Sequence, residues 1–199
     1  MSTRGALGFK LDGKYYVTYN HMDSYPKELG AEVVRFCDSV NGADGWESLK
    51  KNVRKVKLVD NETSKPTCIN ILKYCKYQNL TVNRRTIHEW YCLLRNLQNG
   101  EILWGIRDGK IRHMINSFEF LGDSCSCEYA YIINLDDMTL CFYRGGQTEP
   151  SVNHLPISMI ADEYGFYPVK LRVIFQLGKL PHNWLNSAER KQLALDRIA

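Results

Sequence analysis

The pair Asp12-Gly13 is the sequence feature that most restricts how this chain can fold. It lies between two short segments, 5–11 and 14–19, that have the length and apolar content of strands. A two-residue type I′ turn needs positive φ at both central residues, and Asp-Gly is one of the pairs that adopt it readily. The chain is therefore predicted to begin with an antiparallel hairpin.

Further strands are predicted in the second half of the chain. Aromatic and β-branched residues fill segments 128–135 and 139–143, which flank the short acidic turn 136–138 and predict a second hairpin. Segment 167–175 alternates between apolar and polar residues, as expected of a strand that has one solvated face.

The region between these strands is predicted to be largely helical. Apolar residues recur at helical spacing in segment 29–40. Thr86 and Glu89 form a capping-box pattern, which predicts a second helix that ends near Gly100. Segment 101–112 contains a further Asp-Gly pair and is predicted to form one more hairpin, with a helix around residues 111–120 as the alternative.

Strands and helices thus occupy separate parts of the sequence instead of alternating, which indicates an α+β fold. We expect a mainly antiparallel sheet built from the N-terminal hairpin and the C-terminal strands, with a central block of helices. Residues 186–198 are predicted to form a charged amphipathic helix. A chain of 199 residues fits a single globular domain, residues 1–199.

Composition excludes several classes of protein. Hydrophobic residues make up 44% of the chain, enough for a substantial core and too many for a disordered tail. No run approaches the roughly 18 apolar residues that span a bilayer, so a membrane is not an expected partner. The seven cysteines are an odd number in a chain too long to need disulfides, which favours a reducing cytoplasm.

Metal binding is the alternative use of the cysteines. Cys125 and Cys127 form a pair, with only His113 and Cys141 as further candidate ligands. Structural zinc sites usually combine two such pairs at characteristic spacing. The sequence therefore predicts no metal site and no cofactor.

A cluster of polar residues follows the first hairpin. In an extended strand His21 and Asp23 point to the same side, where a carboxylate could orient an imidazole as a general base. The alternative is that Asp23 or Ser24 caps a helix that begins at Pro26, while His21 is simply exposed. Both interpretations stay open from the sequence.

Aromatic and basic residues provide candidate binding groups. Tyrosines near lysines in the first thirty residues could stack on a ring and hold its phosphates, although strand tyrosines more often pack against a core. The densest basic run lies between residues 50 and 57, where a solvated helix face and a nucleic-acid patch are both possible. The candidate binding residues are Tyr19, His21, Tyr25, Lys50, Lys51, Arg54 and Lys55.

The sequence contains no complete catalytic signature such as a Walker loop, a nucleophile elbow or a zinc-protease motif. Ser2 is the one candidate nucleophile, because removal of Met1 would let its own α-amino group act as the base.

Two blocks of sequence resemble a family of proteins encoded by tailed bacteriophages. The first combines Thr-Arg-Gly at residues 3–5 with Thr-Tyr-Asn-His-x-Asp-Ser-Tyr-Pro at residues 18–26. The second runs from Cys-Glu-Tyr-Ala-Tyr at residues 127–131 through Asn-Leu-Asp at residues 134–136. The family carries no assigned activity. The resemblance implies a phage accessory protein in the cytoplasm of a bacterial host.

The start of this chain is also similar to that of N-terminal-nucleophile amidohydrolases of the choloylglycine type. The similarity consists of two short strands joined by a turn and followed by an Asn-x-x-Asp sequence. That resemblance implies catalytic roles for Ser2, Asn20 and Asp23.

The leading hypothesis is a non-enzymatic protein. It would bind and block or sequester a host protein or a small signalling nucleotide, with counter-defence as the process served. An amidohydrolase and a nucleic-acid-binding protein are the alternatives, and the oligomeric state is left open.

Overall fold

The computed structural model describes residues 3–40, 42–82 and 84–185. Its strands are β1 (Gly5–Leu11), β2 (Lys14–Asn20), β3 (Lys57–Val59), β4 (His113–Ile115), β5 (Tyr129–Asn134), β6 (Thr139–Arg144) and β7 (Lys170–Gln176). Its α-helices are α1 (Ala31–Ser39), α2 (Gly42–Val53), α3 (Cys68–Tyr74), α4 (Trp90–Leu93) and α5 (Glu101–Arg107).

Five strands form one sheet in the order β2-β1-β5-β6-β7. The pair β1 and β5 is parallel, and the other three neighbouring pairs are antiparallel. The short strands β3 and β4 form a separate parallel pair. The prediction of an α+β fold is therefore confirmed, and the N-terminal hairpin shares its sheet with the C-terminal strands as expected.

The turn between β1 and β2 has the conformation that its sequence predicted. Asp12 and Gly13 have φ angles of 53° and 72°. The carboxylate of Asp136, in the turn between β5 and β6, accepts hydrogen bonds from the backbone N–H groups of Asp12 and Gly13 at 2.6 and 3.0 Å. The second hairpin turn thus fixes the position of the first.

The sheet is buried on both faces. Alternate side chains of β1 and β5, such as Phe9 and Ile133, pack against a layer formed by α1, α2 and α5. The intervening side chains, such as Ala6 and Ile132, pack under segments 118–127 and 155–169. The central strands therefore carry long apolar runs, and β2 and β7 form the edges of the sheet.

The predicted hairpin in segment 101–112 is wrong, because residues 101–107 form α5. Ile102, Leu103 and Ile106 are buried at helical spacing. Gly109, with φ of 71°, donates to Ile106 O and so ends the helix. The Asp-Gly pair is a helix terminus here, since both a hairpin turn and a helix end need positive φ.

The predicted helix from Thr86 to about Gly100 is reduced to the single turn α4. The Thr86 hydroxyl accepts from the N–H of His88 in a local turn instead of capping a helix. Beyond α4, the N–H of Asn96 donates to Tyr77 O at 2.8 Å. Pairing with a neighbouring segment replaces the helical hydrogen bonds, so the apolar stripe is buried without a continuous helix.

Two further predictions concern the end of the chain. The strand predicted over 167–175 is present as β7, which begins three residues later. The helix predicted for 186–198 lies outside the described residues. Among the described helices, none has the length and apolar character needed to cross a bilayer.

Candidate ligand-binding site

A cavity of about 380 Å³ lies along the outer edge of β2. It is bounded by that strand, by the segment that follows α4, and by residues 114–120, which lie in β4 and directly after it. Most of its wall is apolar or aromatic, with a few polar groups. Its size is near the lower end of the range for small-molecule sites, so it suits a compact ligand.

Arg95 is the unusual residue of this cavity. The residue is only 7% exposed, and its Nε atom has no hydrogen-bond partner. Within the described ranges, no carboxylate lies within ion-pair distance of its guanidinium group. A buried charge without a partner opposes folding, so such a group is usually found where a ligand or partner compensates it.

Aromatic rings hold the Arg95 guanidinium in place. Its Cζ atom lies 5.8 Å from the ring centre of Tyr19 and 5.6 Å from that of Tyr91, within the range of cation–π attraction. Tyr19 in turn packs edge-to-face against Phe120, with ring centres 5.0 Å apart. The cavity thus combines a positive charge with flat aromatic surfaces.

The charged residues described in the wall of the cavity are all positive. Arg4 also lines it, and none of the described lining residues is acidic. His21 lies beside the cavity, where burial, and then the charges of Arg95 and Arg4, hold the pKa of its imidazole below the ordinary value. The environment therefore disfavours a further positive charge and favours an anion.

The polar residues at the end of β2 position the segment that carries Arg95. Asn20 accepts a hydrogen bond from the N–H of Asn99 at 2.8 Å, and Gln98 Oε1 accepts one from the N–H of His21 at 2.6 Å. The Nε2 atom of Gln98 donates to the carbonyl oxygen of Arg95 at 2.9 Å. These bonds join the end of β2 to the 95–99 segment.

The hydrogen bonds of the Asn20 side chain are therefore structural. This side chain is fully buried and also donates to Met22 O at 2.6 Å and to Ser24 Oγ at 2.9 Å. Asp23 is exposed and has a φ of 56°. Ser2, the third residue of the amidohydrolase hypothesis, lies outside the described residues.

The cap predicted for Ser24 is not formed. The chain enters α1 through a π-helical turn, Pro26–Gly30, whose N-cap residue Tyr25 makes no side-chain cap hydrogen bond. Ser24 instead accepts the bond from Asn20 and donates its N–H to Thr3 O at 3.2 Å. The hydroxyl is used to close the end of the first hairpin. Pro26 does occupy the first helical turn, as predicted.

Of the predicted binding residues, Tyr19 lines the cavity, and its hydroxyl lies 3.2 Å from Nδ1 of His21. Tyr25 is exposed and packs against Tyr129, with ring centres 6.0 Å apart. The structure thus places Tyr19 in the wall of the cavity and His21 in contact with Tyr19, outside the residues that line the cavity. Tyr25 is not among the residues that line it.

The predicted basic residues lie on and just after α2, and none of them lines the cavity. Arg54 donates to both carboxylate oxygens of Asp12, at 2.8 and 3.0 Å. Lys50 forms an ion pair with Glu47 at 2.9 Å. Lys51 and Lys55 are exposed. Two of the four charges are therefore paired within the protein.

Cys125 and Cys127 do not lie in a cluster of metal-ligating side chains among the described residues. Cys125 is exposed and Cys127 is buried. Within the described parts of the chain, no three His, Cys, Asp or Glu side chains are placed to hold a metal ion together.

Sequence reasoning missed Arg4, Tyr91, Arg95 and Phe120. A signal for Arg95 was present, because it is the one charged residue in the apolar stretch from Trp90 to Leu97. A charge within a buried stretch is rare unless it is paired or functional.

The chain matches no protein-family model, and comparisons with curated proteins and with solved structures find no similar protein. The resemblance to phage proteins stays a prediction.

Proposed function

We propose that this protein binds a small signalling nucleotide in the cavity beside β2 and thereby sequesters it. The observation that carries the proposal is Arg95, a buried guanidinium with no carboxylate partner among the described residues. A phosphate group would compensate its charge, because arginine matches the geometry of phosphate oxygens.

The remaining walls support a ligand that also has a flat ring. Tyr19, Tyr91 and Phe120 offer aromatic surfaces next to Arg95, the combination on which nucleobases stack. Arg4 adds a second positive charge at the same cavity. An apolar ligand would leave both charges without compensation, and a bare phosphate would leave the aromatic surfaces uncovered.

The lining also supports binding without chemistry. Among the described residues that line the cavity there is no His, Asp, Glu or Cys, the usual general bases and thiol nucleophiles. Sequestration of a nucleotide signal in the cytoplasm of an infected bacterium would serve counter-defence, in keeping with the phage context that the sequence resemblance implies.

Calorimetric titration with linear and cyclic mononucleotides tests the proposal. We expect a nucleotide to bind at least tenfold more tightly than its nucleoside, because the nucleoside lacks the anion that Arg95 would contact. The Arg95→Gln variant is expected to bind the nucleotide about 10- to 100-fold more weakly, the usual effect of losing a hydrogen bond to a charged group.

Arg54→Gln is the matched control, because it removes an arginine that is exposed and already paired with Asp12. It is expected to leave nucleotide affinity unchanged. Circular dichroism should show that both variants are folded. The proposal fails if no mononucleotide binds, if nucleoside and nucleotide bind equally, or if the two variants behave alike.

A further inference from the structure

The edge strand β2 presents main-chain groups to the cavity. In an antiparallel pair, the residues alternate between those bonded to the partner strand and those that point away from it. The carbonyl of Val17 accepts from the N–H of Ser117 at 2.9 Å, and the N–H of His21 donates to Gln98 at 2.6 Å. Both residues therefore direct their peptide groups outward from the sheet.

Hydrogen bonds on the far side of β1 agree with this alternation. The carbonyl oxygens of Arg4 and Lys10 accept from Glu128 and Leu135, so even-numbered residues of β1 face β5. The peptide groups of odd-numbered β1 residues consequently point toward β2. Their register partners in β2 are even-numbered, so the peptide groups of odd-numbered β2 residues point away from β1.

Tyr19 lies midway between Val17 and His21 and has the same orientation. Its N–H and C=O groups therefore point away from β1, and neither has a hydrogen-bond partner among the described residues. Ser117 and Gln98, which contact the strand on either side of it, both line the cavity together with Tyr19. The free donor and acceptor of Tyr19 thus face the proposed ligand site.

We propose that these two groups recognise the hydrogen-bonding edge of an adenine base. The N–H of Tyr19 would donate to a ring nitrogen, and its C=O would accept from the neighbouring exocyclic amino group. Arg95 would hold the phosphate of the same nucleotide. This inference rests on the proposed function and specifies the class of nucleotide.

Adenine offers this pair on more edges than any other base. It presents an acceptor beside its amino group at N7 and at N1, whereas cytosine does so only at N3, and the N7 edge of guanine carries two acceptors. If guanine bound by its N7 edge, its O6 carbonyl would lie opposite the C=O of Tyr19, and neither carbonyl group would have a hydrogen-bond donor.

The Gln98 side chain, which lines the cavity and contacts the end of β2, already has its own hydrogen-bond partners. Both ends of the Gln98 amide are used, since Oε1 accepts from His21 and Nε2 donates to the carbonyl oxygen of Arg95. Gln98 is therefore not free to rotate and accept a different base. Main-chain groups in a strand are held by the sheet, so they provide the rigid recognition that a specific site needs.

The inference is tested by comparing two ligands that differ only at the amino group. Adenosine monophosphate is expected to bind about 10- to 100-fold more tightly than purine riboside monophosphate, in which hydrogen replaces that group. Arg95→Gln should weaken both ligands by the same factor, because it acts on the phosphate that they share.

The outcomes separate the two proposals. If both ligands bind equally well and Arg95→Gln weakens both, adenine recognition is overturned and the proposed function stands. If neither ligand binds but another mononucleotide does, adenine recognition alone is overturned, and if no mononucleotide binds, both proposals are overturned. Guanosine monophosphate provides a further comparison, and binding as tight as that of the adenine nucleotide would contradict the preference.

Nuclear magnetic resonance gives a second test that does not depend on a substitution. On addition of adenosine monophosphate, the amide proton of Tyr19 should shift downfield and exchange more slowly with solvent. The amide of Thr18 is the internal control, because it faces β1 within the ladder. Equal responses of the two amides, or no response at Tyr19, would overturn the inference.

Discussion

Two arginines in this molecule are placed in opposite ways. Arg54 lies just after α2, is 46% exposed at its side chain, and makes two hydrogen bonds to the carboxylate of Asp12. Arg95 lies beside β2 and is 7% exposed. Two tyrosine rings lie within cation–π distance of it, and it has no carboxylate partner among the described residues. The first charge is accessible and paired, and the second is buried, with an Nε atom that has no hydrogen-bond partner.

The contrast shows why the density of basic residues is a poor guide to binding in this chain. Exposed cations are hydrated and can be paired by nearby carboxylates, so they contribute little that is specific. A buried cation has lost its water, and an anion that reaches it meets a low dielectric and fixed geometry. The isolated arginine is therefore the better candidate for a specific contact.

The largest expected effect concerns stability in the absence of ligand. Arg95→Met keeps most of the volume of the side chain and removes a buried charge that has no partner. We expect the free energy of unfolding to rise by about 1–3 kcal/mol, as when apolar residues replace costly buried charges. Chemical denaturation with urea measures this change.

Arg54→Met is the control for that experiment. It removes the partner of Asp12, whose pKa is held below its ordinary value chiefly by the hydrogen bond from Arg54. The free energy of unfolding should fall slightly. If Arg95→Met destabilises the protein more than Arg54→Met does, then Arg95 is a structural residue and the contrast between the two arginines is broken.

Structure that depends on neighbouring residues could be predicted from the sequence, whereas structure that depends on contacts between distant segments could not. The turn at Asp12 and Gly13 was predictable because its backbone requirement is local. The helix predicted beyond Thr86 was not, because the carbonyl of Tyr77, distant in sequence, competes for the backbone at Asn96. Segment 101–107 carries apolar residues that suit either a strand or a helix.

The candidate site was predictable only in part, for a related reason. The sequence predicted a catalytic role for Asn20 and a binding role for His21, and in the structure both residues tie β2 to the 95–99 segment. Their contact with Gln98 and Asn99 joins positions nearly eighty residues apart. No local pattern reports that Arg95 comes to lie beside Tyr19.

The second expected effect is a difference in salt dependence between binding at the exposed basic segment 50–57 and binding at the cavity. Lys51 and Lys55 have no ion-pair partner among the described residues, so the segment could contact about two phosphates of a nucleic acid. Its affinity for duplex DNA should then fall about tenfold between 50 and 200 mM salt. Fluorescence anisotropy with a labelled duplex measures this fall.

Nucleotide affinity at the cavity should fall less over the same range, because a buried contact is screened less than an exposed one. The double variant Lys51→Ala, Lys55→Ala should leave nucleotide affinity unchanged. A nucleotide affinity that is as sensitive to salt as DNA binding, and that is lost in the double variant, would place nucleotide binding on the exposed segment.

The smallest expected effect is on His21, which reports the potential of the cavity. Burial is the largest cause of its lowered pKa, and the charges of Arg95 and Arg4 lower it further. Arg95→Gln should therefore raise the pKa of His21 part of the way to its ordinary value of 6.5, and Arg54→Gln should leave it unchanged. Titration of the imidazole by nuclear magnetic resonance measures both.

The same shift sets a dependence of stability on pH. Because the pKa of His21 is lower in the folded protein, the unfolded chain binds more protons as the pH falls below about 6.5, and the folded state loses stability until the folded pKa is passed. Arg95→Gln should narrow the pH interval between the unfolded and folded pKa values of His21, and it should reduce the stability that the folded state loses across that interval. An unchanged pKa of His21 in this variant would show that the charge of Arg95 does not reach the cavity wall, and the distinction between the two arginines would then rest on burial alone.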